Sequence, residues 1–351
     1  MIQGKTAKIL MFALIFGLAA SAVYGQRIKV IDAKFTVNGS QIWLNAVNTP
    51  WDHWNDLGGN FDPSFWDREF ARIRKAGGNA TRIWITCNGE TGFDLDGKGG
   101  VRGMTDKFWK DCDELFSLAG RNGIYVLATL ISFDHTKDSH LNYEEWRKMY
   151  NNDVKVAMFV TNYVKPFVLR YRENPWLFAI EPCNEIEWVH EEHGIPWDRL
   201  QYFCGKVAAE VHADSSILVT IGNNAKWQSP VAEGEFFSDE KLRAASGEPG
   251  AYLDFYSPHF YDWVIKWYGN PFGDRTDASY KLDKKPAVIG ECPANADWVV
   301  YEKAYRNGFE GVFAWTSNLV DGCGGLDGRL GTEMRKFKKA HPGLVAPRPG
   351  K

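Results

Sequence analysis

The chain has 351 residues, 44% of them hydrophobic and 24% charged, with a formal net charge of −3. This is ordinary globular composition, and the near-neutral balance argues against a nucleic-acid binder, which would normally show a basic face. Fifteen Trp exceed what a core requires, because Trp usually keeps one edge wet, so part of the set is expected to line a surface groove.

The first 25 residues read as a secretory signal. Lys5 and Lys8 precede the apolar run Ile9–Ala20, and Val23-Tyr24-Gly25 leads to a cut at Gln26. The run is shorter than the roughly 20 residues of a membrane-spanning helix, and no second run of that length follows. An exported, monomeric protein free of the membrane after cleavage is expected. Its one domain would cover 26–345, and 346–351 would be a short tail.

Eight strand-like runs then recur in order: Ile42–Asn48, Ala80–Thr86, Ile124–Leu130, Leu177–Glu181, Ile217–Gly222, Leu253–Ser257, Pro286–Glu291 and Gly311–Thr316. Helical patterns lie between many of them, at Pro63–Ala76, Asp106–Asn122, Val154–Arg172, Trp197–His212 and Ala296–Asn307, and Glu333–Ala340 closes the series. Continuous apolar strands separated by helices predict parallel strands buried on both faces. Eight such units fit an α/β fold, a single-domain (β/α)8 TIM barrel. A doubly wound sheet would want a Gly-rich phosphate turn after its first strand, where the chain reads Val47-Asn48-Thr49-Pro50.

In such a barrel the chemistry sits at the C-terminal ends of the strands. Arg82 lies on the second strand, Asn184 and Glu185 follow the fourth, and His259 and Tyr261 follow the sixth. Glu291 ends the seventh and Trp315 the eighth. An acid closing an apolar run such as Pro286–Gly290 is costly unless it is partnered or used. Two glutamates on strands four and seven would face each other across the mouth, as glycoside hydrolysis requires; the bland alternative is an ion pair of Glu291 with Arg82. Glu181 could also point inward, and Glu187, two residues past the rim, reads as a solvated loop carboxylate. His135, just past strand three, is a candidate substrate contact. Trp51, Trp54, Trp84, Trp188, Trp227, Trp263 and Trp267 fall on or near the proposed loops and are candidate sugar platforms.

Six cysteines suit an oxidising compartment and allow 15 pairings, so disulfides are expected as local staples. None lies in a CxxC spacing and no HxH follows the first strand, so neither a metal nor another cofactor is expected.

With these residues in order, the chain resembles glycoside hydrolase family 5, over about Gln26 to Pro342. The resemblance rests on GGNATRIWI with Arg82, on Asn184-Glu185, on HFY with His259 and Tyr261, on VIGE with Glu291, and on FAW with Trp315. It implies Glu185 as general acid/base and Glu291 as nucleophile. Asn184 would bond the 2-hydroxyl of the reacting sugar, and Arg82 and Tyr261 would keep the nucleophile ionised. His259 would contact the acid or the sugar, and Trp315 would underlie the ring. Where many members read Asn-Glu-Pro, this chain has Ile186, which loosens the loop's backbone constraint. The first half looks most like the family's endo-β-1,4-mannanases, with endo-β-1,4-glucanases sharing the same catalytic set. A β-mannan or β-glucan is thus the expected polysaccharide partner. A non-catalytic carbohydrate-binding barrel is the alternative from another class, against which the intact glutamate pair argues.

Overall fold

The computed structural model describes residues 26–346, so the expected secretory signal, and the tail beyond Ala346, lie outside the described residues. Eight short strands form the barrel wall: β1 (Leu44–Asn48), β2 (Ala80–Trp84), β3 (Tyr125–Thr129), β4 (Leu177–Glu181), β5 (Leu218–Val219, resuming at Gly222–Asn224), β6 (Ser257–His259), β7 (Val288–Ile289) and β8 (Gly311–Trp315). β7, β8, β1, β2, β3, β4 and β5 pair in that order, all parallel. The second half of β5 pairs with β6, and bridges Tyr256 to Ala287 and His259 to Glu291 join β6 to β7. The wall is therefore closed, a (β/α)8 barrel.

Side-chain alternation gives this wall a polar top and an apolar bottom. Val47, Ile83, Val126, Ala128, Ile180, Val312 and Ala314 pack outward against the helices. Leu44, Ala46, Ala80, Leu127, Ala179 and Phe313 belong to a separate inner cluster. Phe35 closes that cluster from below, edge-on to Phe178 and Phe255. It belongs to an antiparallel ribbon (Lys29–Ile31, Lys34–Val37, Ser40–Gln41), an element the sequence pattern did not reveal. Above the inner cluster, successive inward positions carry Asn48, Arg82, Trp84, Thr129, Glu181 and Trp315.

The helices start and stop where local chemistry demands. Asp62 caps Pro63–Lys75 by accepting the Ser64 N–H, and Thr105 caps Asp106–Asn122, which ends on Gly123 in the left-handed region (φ 65°). The expected Val154–Arg172 helix is one helical stretch, Asp153–Tyr171, interrupted by a π turn at Val160–Val164. Pro166, which lacks an N–H donor, comes two residues after that turn, and the wider turn accommodates the lost bond. Boundaries moved most at β6, expected over Leu253–Ser257. The apolar Leu253–Phe255 lies below the ladder, and His259 is on the strand rather than after it. All six cysteines are free thiols, contrary to the expected staples; five are buried as small hydrophobes. Among the described residues, no helix is long and apolar enough to cross a membrane.

Candidate active site

The barrel's polar top is built around one cation. Arg82, on β2, is wholly buried, and its guanidinium donates to Glu181 Oε1 at 2.6 Å and Oε2 at 3.1 Å, and to Glu291 Oε1 at 2.7 Å. It also donates to Asn184 Oδ1 at 2.6 Å and to Asn48 Oδ1 at 3.0 Å. Every donor direction of the fork is used, which fixes four side chains, two on strands and two just past strand ends. Asn48 in turn donates to the carbonyls of Gly290 and Phe313, tying β1 to β7 and β8 beneath the site.

Glu291 projects from just beyond β7. Its second oxygen accepts the Tyr261 hydroxyl at 2.7 Å. Burial pushes the Glu291 carboxyl up from its ordinary range, while the Arg82 charge and the Tyr261 hydrogen bond pull it back.

Glu185 stands opposite. β4 stops at Glu181 because Pro182 cannot continue the ladder, and Asn184 bridges to Ser132 instead. The backbone then reverses through Glu185 itself, at φ 43°, a left-handed conformation that costs a non-glycine residue about 1–2 kcal/mol. Its N–H is anchored on the Gly222 carbonyl at 2.8 Å. Ile186 follows at φ −59°, the value a proline ring would impose, and its side chain is buried. The backbone thus holds a φ that proline could share. Glu185 Oε2 accepts the Trp188 indole N–H at 3.0 Å, and Oε1 lies 2.9 Å from His259 Nδ1. Burial raises the Glu185 carboxyl to about 7, against the Trp188 hydrogen bond and the Arg82 charge.

A carboxylate oxygen of Glu185, one of Glu291 and a ring nitrogen of His259 all lie within 4.8 Å of one another. His259 is buried and lowered to about 4, so it is neutral between the acids. Its Nε2 has no partner, and Gly222 is needed beside it. A Cβ there would meet Glu181 Oε2 at 2.6 Å and His259 Nε2 at 2.8 Å.

The two glutamates open into a cleft of ≈ 570 Å³ whose lining includes Asn184, Tyr261, Asn224 and six tryptophans: Trp51, Trp54, Trp84, Trp188, Trp263 and Trp315. Trp51, Trp84 and Trp315 pack mutually at centroid distances of 4.8–6.0 Å, and the Trp315 indole donates to Asp321 at 3.3 Å. Trp227 is not part of this wall; it packs with Trp197 and Phe236.

Two sequence expectations are corrected here. His135 does not reach the cleft. It is buried, held by the Ser132 carbonyl and the Tyr150 hydroxyl and set edge-on to Trp146, and burial lowers it to about 4. Its neighbours Phe133 and Asp134 line the cleft instead. Glu187 is not solvated. It is buried in the first turn of a short helix, accepts the Asn224 N–H at 2.7 Å, and leaves Oε2 unpartnered. Asn48, Asn224 and Asp321 were not singled out from the sequence. Asn48, the last residue of β1, and Asn224, the last of β5, were open to the same strand-end rule.

A closed (β/α)8 barrel carrying paired glutamates in an aromatic cleft at the C-terminal ends of its strands defines the chain as a glycoside hydrolase. Comparison with known proteins agrees, although no family model matches the sequence. The mannan endo-1,4-beta-mannosidase of Cryptopygus antarcticus is 24% identical over 90% of this chain and 91% of its own length, and that of Mytilus edulis is 24% identical over 86% and 91%. In fold, the endo-1,4-beta-mannanase of Eisenia fetida superposes with a TM-score of 0.79 at 22% identity, covering 93% of this chain and 98% of its own. The resemblance to glycoside hydrolase family 5 and its mannanases therefore stands in sequence and in fold.

Proposed function

We propose that the protein is a secreted endo-β-1,4-mannanase that cleaves by double displacement with retention at the anomeric carbon. The observation that carries this is the approach of Glu185 and Glu291 to within 4.8 Å. It suits a retaining pair, about 5–5.5 Å apart, and leaves no room for the water an inverting pair places between wider carboxylates. Glu291, ionised by Arg82 and Tyr261, attacks the anomeric carbon while Glu185, protonated up to about pH 7, gives its proton to the departing glycosidic oxygen. A covalent glycosyl-enzyme results. Esterification removes the Glu291 charge, Glu185 becomes the base, and a water whose proton it takes releases the sugar and restores both groups.

Asn184 has its carbonyl oxygen committed to Arg82 and its amide nitrogen 3.5 Å from Ser132 Oγ, and the amide's second N–H is the donor for the 2-hydroxyl. Trp315 offers the face beneath the ring. Mannan is favoured as substrate because the relatives that align over most of both chains carry mannanase names. Export rests on the secretory pattern of the first 25 residues.

Reducing-sugar release from galactomannan, glucomannan and carboxymethyl-cellulose tests the reading, beside Glu185→Ala and Glu291→Ala. Hydrolysis of galactomannan, lost in both variants and initially giving the β-anomer, is the expected result. Release from carboxymethyl-cellulose alone would move the substrate to β-glucan, and inversion would overturn the mechanism.

A further inference from the structure

Two large aromatic side chains beside the cleft reach solvent, one of them, Trp267, with the Lys266 ammonium 5.5 Å from its ring centroid. The helix Asp262–Tyr268 begins directly after Tyr261, and it buries Val264 while presenting Trp263 and Trp267 to solvent at 43% and 73% exposure. Four residues apart, the two indoles share one side of the helix, about 6 Å apart along its axis. A pair of exposed tryptophans on one helical face is the kind of patch a soluble protein keeps for an interaction. Trp263 lines the catalytic cleft and also an adjoining groove of ≈ 400 Å³, whose other walls are Lys226, Glu233, Trp267 and Tyr268.

The polar rim of this groove is set by the strand ends that shape the active site. Asn224 closes β5 and lines the cleft, and Lys226 follows two residues later with its ammonium 4.0 Å above the Trp227 ring. Glu233 is held by its N–H on the Lys226 carbonyl and accepts the Tyr268 hydroxyl at 3.1 Å. An ammonium, a carboxylate and a phenol thus border two indole faces. That combination meets both halves of a pyranose, whose C–H face stacks on the ring while its hydroxyls take the polar groups.

We infer that the Trp263–Trp267 face, with Lys226, Glu233 and Tyr268, is a binding site for the part of a β-linked hexopyranose chain that extends beyond the cleft, so that the enzyme holds polymer more firmly than short oligomers. Continuity with the cleft through Trp263 selects this occupant over a protein partner. The inference rests on the polysaccharide-hydrolase reading above.

The test separates binding from hydrolysis. Glu185→Gln, which stops cleavage during the run, and the double variant Glu185→Gln/Trp267→Ala are compared by retardation in native gels containing galactomannan, glucomannan or carboxymethyl-cellulose. Trp267 is mostly in water, so its loss leaves the fold intact, and unchanged thermal melting checks this. Retardation should weaken about fivefold on removing Trp267, the size of one aromatic contact. In the active enzyme, Trp267→Ala should raise KM for polymer about fivefold more than KM for mannotetraose. Equal retardation of the two proteins in every gel, or equal change of both KM values, overturns the site. If retardation falls only in carboxymethyl-cellulose and mannan is not cut, the mannanase reading fails while this site stands. If mannan is cut and no retardation depends on Trp267, the reverse holds.

Discussion

Arg82 joins Glu181 to Glu291: one buried guanidinium pairs both carboxylates, at 2.6 Å and 2.7 Å. A single cation shared between two buried acids leaves the cluster short of positive charge, so the cluster depends on the geometry of the fork. Arg82→Lys keeps the charge and loses the fork. It should lower kcat at least tenfold and move the acid limb of the kcat/KM profile to higher pH, since a less well paired Glu291 holds its proton longer. Arg82→Met, which leaves both acids unpaired, should cost on the order of 3–5 kcal/mol of stability. An unmoved acid limb in Arg82→Lys would show that Arg82 does not set the charge of Glu291.

Tyr261 acts on the same carboxylate from the other side. Its hydroxyl bond to Glu291 favours the ionised acid, so Tyr261→Phe should also move the acid limb upward. A hydrogen bond to a charged group contributes about 1.5–3 kcal/mol, so kcat/KM should fall by about 10–100-fold. The pH profile distinguishes this from loss of packing, because a packing defect would lower the whole profile without shifting it.

The opposite limb reports Glu185. Activity should decline above a pH of about 7, where the acid loses its proton. Trp188 donates its indole N–H to Glu185 and thereby favours the ionised form. Trp188→Phe removes that donor and should shift the alkaline limb to higher pH, broadening the profile. A limb that stays in place would assign the alkaline pKa to another group.

These assignments were legible to different depths. Buried barrel strands are runs of apolar residues, so the polar groups that end them stand out, as Glu291 does after Pro286–Gly290. Strand ends that break the pattern were less visible. Ser257-Pro258-His259 looks like a turn, yet it is β6 and carries His259 between the two glutamates. Glu181, Cys183 and Glu185 would share one face only in an extended chain, and the chain is not extended past Glu181. Pro182 ends the ladder, and the positive φ at Glu185 re-aims the chain, so Cys183 packs outward in the helix-side core while Glu185 enters the cleft. His135 and Glu187 were misplaced because exposure depends on tertiary neighbours, here Tyr150 and Asn224, that sit far along the chain.

Glu187 gives the sharpest stability test. Burial, and then the nearby Glu185, push its carboxyl well above the ordinary glutamate value, against the hydrogen bond it accepts from the Asn224 N–H. Below the unfolded-state pKa both states are protonated, and the group costs nothing. As pH rises above it the unfolded chain ionises and the folded one does not, so stability falls until the folded-state pKa is reached. Gln keeps the acceptor for Asn224 and cannot ionise. The Tm of Glu187→Gln relative to wild type should therefore climb between pH 4 and pH 8, at about 1–2 °C per kcal/mol of penalty relieved. Calorimetry across that range decides the matter. A Tm difference that stays constant with pH would mean that Glu187 ionises in the folded protein as readily as in the unfolded one, with a counter-charge supplied by a group other than Asn224.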